Sequence, residues 1–166
     1  MGDIKKPRKK YSRPKRHWDL ALLMQELEIV GKYGLRNKRE LWKAQSRLSS
    51  IRKRARALLA LPIEVRSARE KELLSSLNRL GLVSEDATLD DILNLKVEDI
   101  LERRLQTIVY KKGLAKTPLQ ARQMITHRHI VIGDRIVNIP SYWVKKGEDE
   151  KVALRADSPL AKVISH

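Results

Sequence analysis

The 166-residue chain has no cysteine and no phenylalanine, and aromatic residues make up only 4% of it. Without cysteine it can form neither a disulfide nor a cysteine-ligated zinc site. The four histidines, His17, His127, His129 and His166, offer no metal-ligand spacing with a third ligand nearby, so no metal is expected. With so few rings, the base-stacking platforms that single-strand nucleic-acid binders use are poorly supplied. No run of about 18 apolar residues exists for a membrane span, and the N-terminus is too charged for a secretory signal. A soluble, intracellular chain is expected. No Gly-rich phosphate loop, Ser/His/Asp set or cofactor motif appears, so neither a catalytic site, a cofactor nor a small-molecule substrate is expected.

Negative charge is also scarce: 20 acidic residues face 36 Lys and Arg, for a net charge of +16. Such an excess cannot be neutralised internally, and it points to a polyanionic partner, nucleic acid ahead of an anionic membrane surface. The length suits one domain with an extension, or two small domains sharing a core. Residues 5–16 hold eight cations, two prolines and no periodic apolar face. They are expected to be disordered when free and to fold against RNA phosphates, so that deleting residues 1–16 would hardly change stability. A solvated tail or a nuclear address are the other readings of such a run.

After the arm, Asp19 is positioned to cap an apolar helix over residues 20–27, with Trp18 read as a hydrophobic staple ahead of a base-stacking ring, and Gly31 and Gly34 as breakers. Asn37 then caps the longest helix, from about residue 38 to 61. Leu41, Ala44, Leu48, Ile51, Ala55 and Leu58 alternate steps of three and four and form its buried seam. Arg39, Lys43, Arg47, Lys53 and Arg54 lie away from that seam. Solvated helices ordinarily mix Glu with Lys to make ion pairs one turn apart, yet no acidic residue stands between Leu41 and Leu61. These five cations are therefore assigned to phosphate. Pro62 stops the helix; a mixed-charge helix follows to Leu80 and Gly81, then short helices opened by Thr88-Leu89-Asp90-Asp91 and by Val97-Glu98-Asp99, whose carboxylates are caps and not an acid/base pair.

From Arg103 to Val144 the chain reads helix, linker, helix, hairpin. Gly113 closes the first helix. Thr117 caps the second, Pro118 fits its first position, and the Gln120 side chain is placed to complete a capping box. Ala121, Met124 and Ile125 form its buried stripe. Two β-branched runs around Gly133-Asp134 then predict a two-residue turn, Tyr142-Trp143-Val144 a further short strand, and Val152-Ala153-Leu154 another after the turn at Lys145–Glu148.

The residues Arg104-Leu105-Gln106, Val109-Tyr110, Ala121-Arg122-Gln123-Met124-Ile125, His127-Arg128-His129-Ile130 and Gly133 to Tyr142 resemble the S-four RNA-binding domain. Tyr33-Gly34-Leu35-Arg36-Asn37-Lys38-Arg39-Glu40-Leu41-Trp42 resembles the N-terminal signature of the ribosomal family that gives the domain its name, in its archaeal and eukaryotic branch. Together they cover most of the chain. The resemblance implies an α+β fold: a basic flexible arm (1–18), a helical domain (19–99), an S-four RNA-binding domain of two helices and a hairpin (100–156), and a C-terminal tail (157–166). It implies a non-enzymatic, cytoplasmic ribosomal protein that binds small-subunit ribosomal RNA, helps nucleate subunit assembly, and sits beside other ribosomal proteins and mRNA at its entry. Zinc-binding cysteines that some members carry are lacking here, so that metal does not carry over.

In this reading Arg103, Arg104, Lys112, Lys116, Thr117, Gln120, Arg122, Gln123, His127, Arg128 and Arg135 line the exposed side of the helix pair and hairpin and contact RNA. Thr117 and Gln120 also have capping roles, and Arg103 and Arg104 have Glu98, Asp99 and Glu102 as possible partners. For Arg122, Gln123 and Arg128 no acid lies within a helical turn. Replacing Arg122 and Gln123 by Ala is therefore expected to cost the fold little. The alternative is the RNA-binding module of an RNA-modifying or RNA-charging enzyme, which needs a catalytic domain of about 100 to 200 further residues. A basic helical DNA-compacting protein would leave the helix pair and hairpin unexplained.

Overall fold

The computed structural model describes residues 9–16 and 18–159. The first cations of the basic arm, His17 and the tail from residue 160 lie outside the described residues. The architecture is α+β, with seven helices followed by a small antiparallel sheet among the described residues.

Helix α2 (Lys38–Leu59) organises the N-terminal half. The Asn37 side chain accepts a hydrogen bond from the Glu40 backbone N–H at 3.3 Å, which satisfies one of the free donors at the helix start. Leu41, Ala44, Leu48, Ile51, Ala55 and Leu58 are its buried residues, the seam that their spacing predicts. Packed around it are α1 (Leu20–Lys32), α3 (Ile63–Arg79), α4 (Leu89–Asn94) and α5 (Val97–Glu102). Their shared apolar cluster runs from Tyr33 to Leu101. The short helices are set by their caps: Asp91 accepts from the Thr88 backbone N–H at 2.7 Å and Asp99 from that of Lys96 at 2.6 Å.

A second cluster joins α6 (Leu105–Lys111), α7 (Pro118–Thr126) and the sheet, from Leu105 through Met124 and Ile130 to Val152. Strand β1 (Ile130–Ile132) is central, with β2 (Arg135–Ile136) and β3 (Val152–Leu154) antiparallel on either side. Ile132 pairs with Arg135, which leaves Gly133-Asp134 as the two-residue turn, with Gly133 at a φ of 59° that a β-branched residue would resist.

Several local expectations need correction. α1 runs through Gly31 to Lys32, because an isolated glycine costs only about 1 kcal/mol in a helix. Trp18, just ahead of the Asp19 cap, is 68% exposed. α2 stops at Leu59, two residues early, since Pro62 disfavours helical geometry just before it. Residues 142–144 form no strand of the sheet; they make a single bridge, Arg104 with Trp143, where Leu105 donates to the Tyr142 carbonyl at 2.8 Å and Val144 to that of Arg103 at 3.0 Å. The described part of the arm is docked instead of free: the Tyr11 ring stacks on Trp42 at 5.9 Å between centroids, and the Ser12 N–H donates to Ser46 Oγ at 3.0 Å.

Candidate nucleic-acid interface

Because one face of α2 is committed to the core, its cations are turned outward. Arg39, Lys43, Arg47, Lys53 and Arg54 are all exposed, and among the described residues none has a carboxylate partner. Arg47 differs from the other four in that its guanidinium carbon lies 3.9 Å from the centre of the Trp143 ring. That ring removes water from one side of the guanidinium, and burial, followed by the nearby charge of Arg54, pulls its pKa below the usual arginine value. Between α2 and the Trp143 segment is a cleft of about 500 Å³. Lys10 of the docked arm, Lys43, Arg47, Ser46, Ser50 and Ser141 line it.

A second exposed surface is built on the start and end of α7. Thr117 Oγ1 accepts from the Gln120 N–H at 3.1 Å, as the capping pattern predicts. Gln120 is half-buried, and its side-chain oxygen accepts from the Lys116 N–H at 2.7 Å instead of that of Thr117. Lys116, Thr117, Gln123, His127 and Arg128 are exposed, as is Arg135 on β2. The Arg128 N–H bonds the Ile125 carbonyl and the His129 N–H that of Met124, each at 3.0 Å. This is a Schellman closure with Arg128, at φ 64°, in the seat that glycine usually takes. A left-handed arginine costs about 1–2 kcal/mol, a strain held in place by the two hydrogen bonds of the closure.

Four of the residues predicted to contact RNA are tied into the fold by hydrogen bonds of their own. The Arg103 guanidinium donates to the Leu80 and Val144 carbonyls at 3.0 and 2.8 Å and to both oxygens of Asp149 at 2.9 and 3.0 Å. Arg104 is 4% exposed and donates to Glu40 Oε2 at 2.9 Å. Arg122 grips the same carboxylate at 2.7 and 3.1 Å and reaches Gln106 Oε1 at 3.3 Å. Lys112 Nζ donates to the Glu150 and Val152 carbonyls, both at 3.1 Å. The partners of the three arginines are neither Glu98, Asp99 nor Glu102. They come from Glu40 and Asp149, which are too distant in the chain for helical-turn reasoning to find.

Burial pushes the Glu40 carboxyl up, but the hydrogen bond from Arg122 and the charge of Arg104 outweigh it and leave the pKa below its ordinary value. Beside this cluster, Gln106 Nε2 donates to the carbonyls of Tyr33, Gly34 and Pro118 at 3.3, 2.8 and 2.9 Å. The 33–42 stretch and the 104–122 stretch, which carry the sequence resemblance, thus meet in one polar seam between the two apolar clusters. The seam orients the α2 cations and the α7 surface relative to one another. Sequence reasoning also missed Lys10 and Trp143 as members of the cleft; no local pattern marks either.

Residues 4–102 match the family described as the ribosomal protein S4/S9 N-terminal domain, and residues 103–150 match the S4 domain. The chain is 59% identical to the small ribosomal subunit protein uS4 of Hyperthermus butylicus, over 98% of this chain and 92% of that protein. It is 55% identical to uS4 of Ignicoccus hospitalis, over 98% of both chains, and 53% identical to that of Nitrosopumilus maritimus, over 99% of this chain and 82% of the relative.

Proposed function

This chain belongs to the small ribosomal subunit protein uS4 family, and on that premise we propose that it is a structural constituent of the small ribosomal subunit that binds ribosomal RNA directly. It is not an enzyme, and the reading as a module of an RNA-modifying enzyme has no support, since the relatives that span nearly the whole chain are ribosomal proteins. Its place is the cytoplasmic ribosome, with neighbouring small-subunit proteins as further partners; a role in nucleating assembly and a position near the mRNA entry rest on the family resemblance alone.

The observation that carries this reading is the cationic face of α2, where Arg39, Lys43, Arg47, Lys53 and Arg54 are exposed and, among the described residues, have no carboxylate partner, in a helix with no acid past Glu40. Cations without carboxylates are counter-ions for phosphate. The contact set we infer is Arg39, Lys43, Arg47, Lys53 and Arg54 on α2, with Lys116, Thr117, Gln123, His127, Arg128 and Arg135 on the second surface, all of them exposed. Gln120 assists through the cap. Arg103, Arg104, Lys112 and Arg122 support the fold and not the RNA.

Titration of small-subunit ribosomal RNA across a salt series tests this. Log affinity should fall with log salt by about 0.7 to 0.9 per phosphate contact, a steep slope for eight or more contacts. Gln123→Ala with Arg128→Gly should keep or raise the melting temperature, because glycine relieves the left-handed seat, and should weaken RNA binding. Salt-independent affinity would overturn the electrostatic reading; unchanged affinity in the double variant would remove the α7 surface from it.

A further inference from the structure

We propose that the cleft between α2 and Trp143 is a phosphodiester subsite in which Trp143 acts as a positioning residue, holding the Arg47 guanidinium flat for an RNA phosphate while Lys43 and the arm residue Lys10 close the cage. The proposal rests on the RNA-binding reading above and adds a defined pocket and a residue that no charge pattern would select. Surface arginines are ordinarily mobile, and ordering one on binding costs side-chain entropy. Arg47 has already paid part of that cost, with its head 3.9 Å from an indole whose electron-rich face attracts a cation. With the ring occupying one face, the N–H donors remain for an oxyanion, the arrangement in which a guanidinium binds phosphate through two parallel hydrogen bonds.

The charges around the site agree. Lys10, Lys43 and Arg47 line the cleft. Glu40 is the one carboxylate there, and Arg104 and Arg122 both hold it, so that cluster carries a net positive charge and does not repel an anion. Lys10 reaches the cleft because its neighbours are fastened to α2, Tyr11 on Trp42 and Ser12 on Ser46. Ser50 and Ser141, also on the walls, supply small hydroxyl donors. A cleft of about 500 Å³ exceeds what one phosphate needs and admits the sugars on either side of it, which suits a chain and not a free ion.

The test is a double-mutant cycle read by titration of transcribed small-subunit ribosomal RNA over a salt series, with thermal melts of each variant. Arg47→Ala should lower affinity about tenfold or more and reduce the salt slope by about 0.7 to 0.9, the share of one phosphate contact. Arg47→Lys should keep the slope and lose part of the affinity. Trp143→Leu should weaken binding when Arg47 is present and have no further effect once Arg47 is Ala, which a merely structural role would not produce. Trp143 also packs on the first core, so Trp143→Phe, which keeps a ring under Arg47, serves as the folded control and should bind better than Trp143→Leu. Inorganic phosphate should compete only weakly; competition as strong as that of RNA would reassign the cleft to a free anion and overturn the proposal. Unchanged affinity and slope in Arg47→Ala, with the Gln123/Arg128 variant still impaired, would overturn the subsite and leave the RNA-binding reading standing. Additive effects of Arg47→Ala and Trp143→Leu would overturn the positioning role. No salt-dependent RNA binding by the parent protein would defeat both.

Discussion

Glu40 holds two arginines from outside its own helix, and its local sequence shows neither. Arg122 lies past the first turn of α7, off the buried stripe and with no nearby acid, so it reads as a free surface cation. Its ion pair at 2.7 Å, with both side chains about four-fifths buried, changes the forecast. Arg122→Ala should destabilise the protein by about 1–3 kcal/mol, the usual loss for hydrogen bonds to a charged group, instead of less than about 0.5. Glu40→Gln should cost more, about 3 kcal/mol, since it leaves Arg104 buried without its counter-charge. The same cluster predicts a pH dependence. The folded pKa of Glu40 lies below its ordinary 4.5, so its stabilisation is fully present above that value. It is lost as pH falls through the lower folded value. Chemical denaturation at neutral pH and below pH 4.5 should show an acid-side loss in the parent protein that is reduced in Glu40→Gln.

At the scale of elements, the start of α7 is a joint as well as a cap. Gly34 has a φ of 57°, and a Cβ built on it would stand 2.7 Å from Pro118 Cβ and 3.1 Å from Gln106 Nε2. The loop after α1 can lie against α7, with Gln106 bonding both, only while position 34 has no side chain. Gly34→Ala should therefore combine backbone strain with overpacking, for a loss of about 2–4 kcal/mol. Thr117→Ala, at the same helix start, removes only the cap and should cost about 1 kcal/mol. Denaturation midpoints of the two variants decide the matter: equal losses would show that the loop gives way and that the contact does not govern the joint. The caps at Asn37, Thr88 and Thr117 were legible in the sequence because each is settled within four residues. The third strand-like segment was not, because whether residues 142–144 pair with the hairpin or with the α5–α6 junction depends on where those elements meet.

For the molecule as a whole, the arm links stability to binding. Deleting residues 1–16 should lower RNA affinity through lost cations, as the composition alone implies. It should also cost about 1 kcal/mol of stability, because the Tyr11–Trp42 stack and the Ser12–Ser46 bond go with it. Thermal melts beside RNA titrations of the shortened chain check both; unaltered stability would mean that the docking of Tyr11 contributes nothing net in water. The two apolar clusters share the seam of Glu40, Gln106 and Arg122, so the α2 cations and the α7 surface are held as one frame.

By itself the sequence determined whatever depends on neighbours along the chain: helix starts, the α2 seam, the Gly133-Asp134 turn, and a positive excess that internal pairing could not remove. It also sufficed to identify the family, through two stretches about seventy residues apart. Only the tertiary structure decided which cations are tied to carboxylates and carbonyls of the protein itself. An ion pair is a relation between two positions in space. Arg103, Arg104 and Arg122 became structural when Asp149 and Glu40 folded against them, and Arg47 became a fixed donor when Trp143 came to lie beneath it. Charge is written in the composition, but its solvation and its partners are set by packing, over distances of a few ångströms that separation along the chain does not measure.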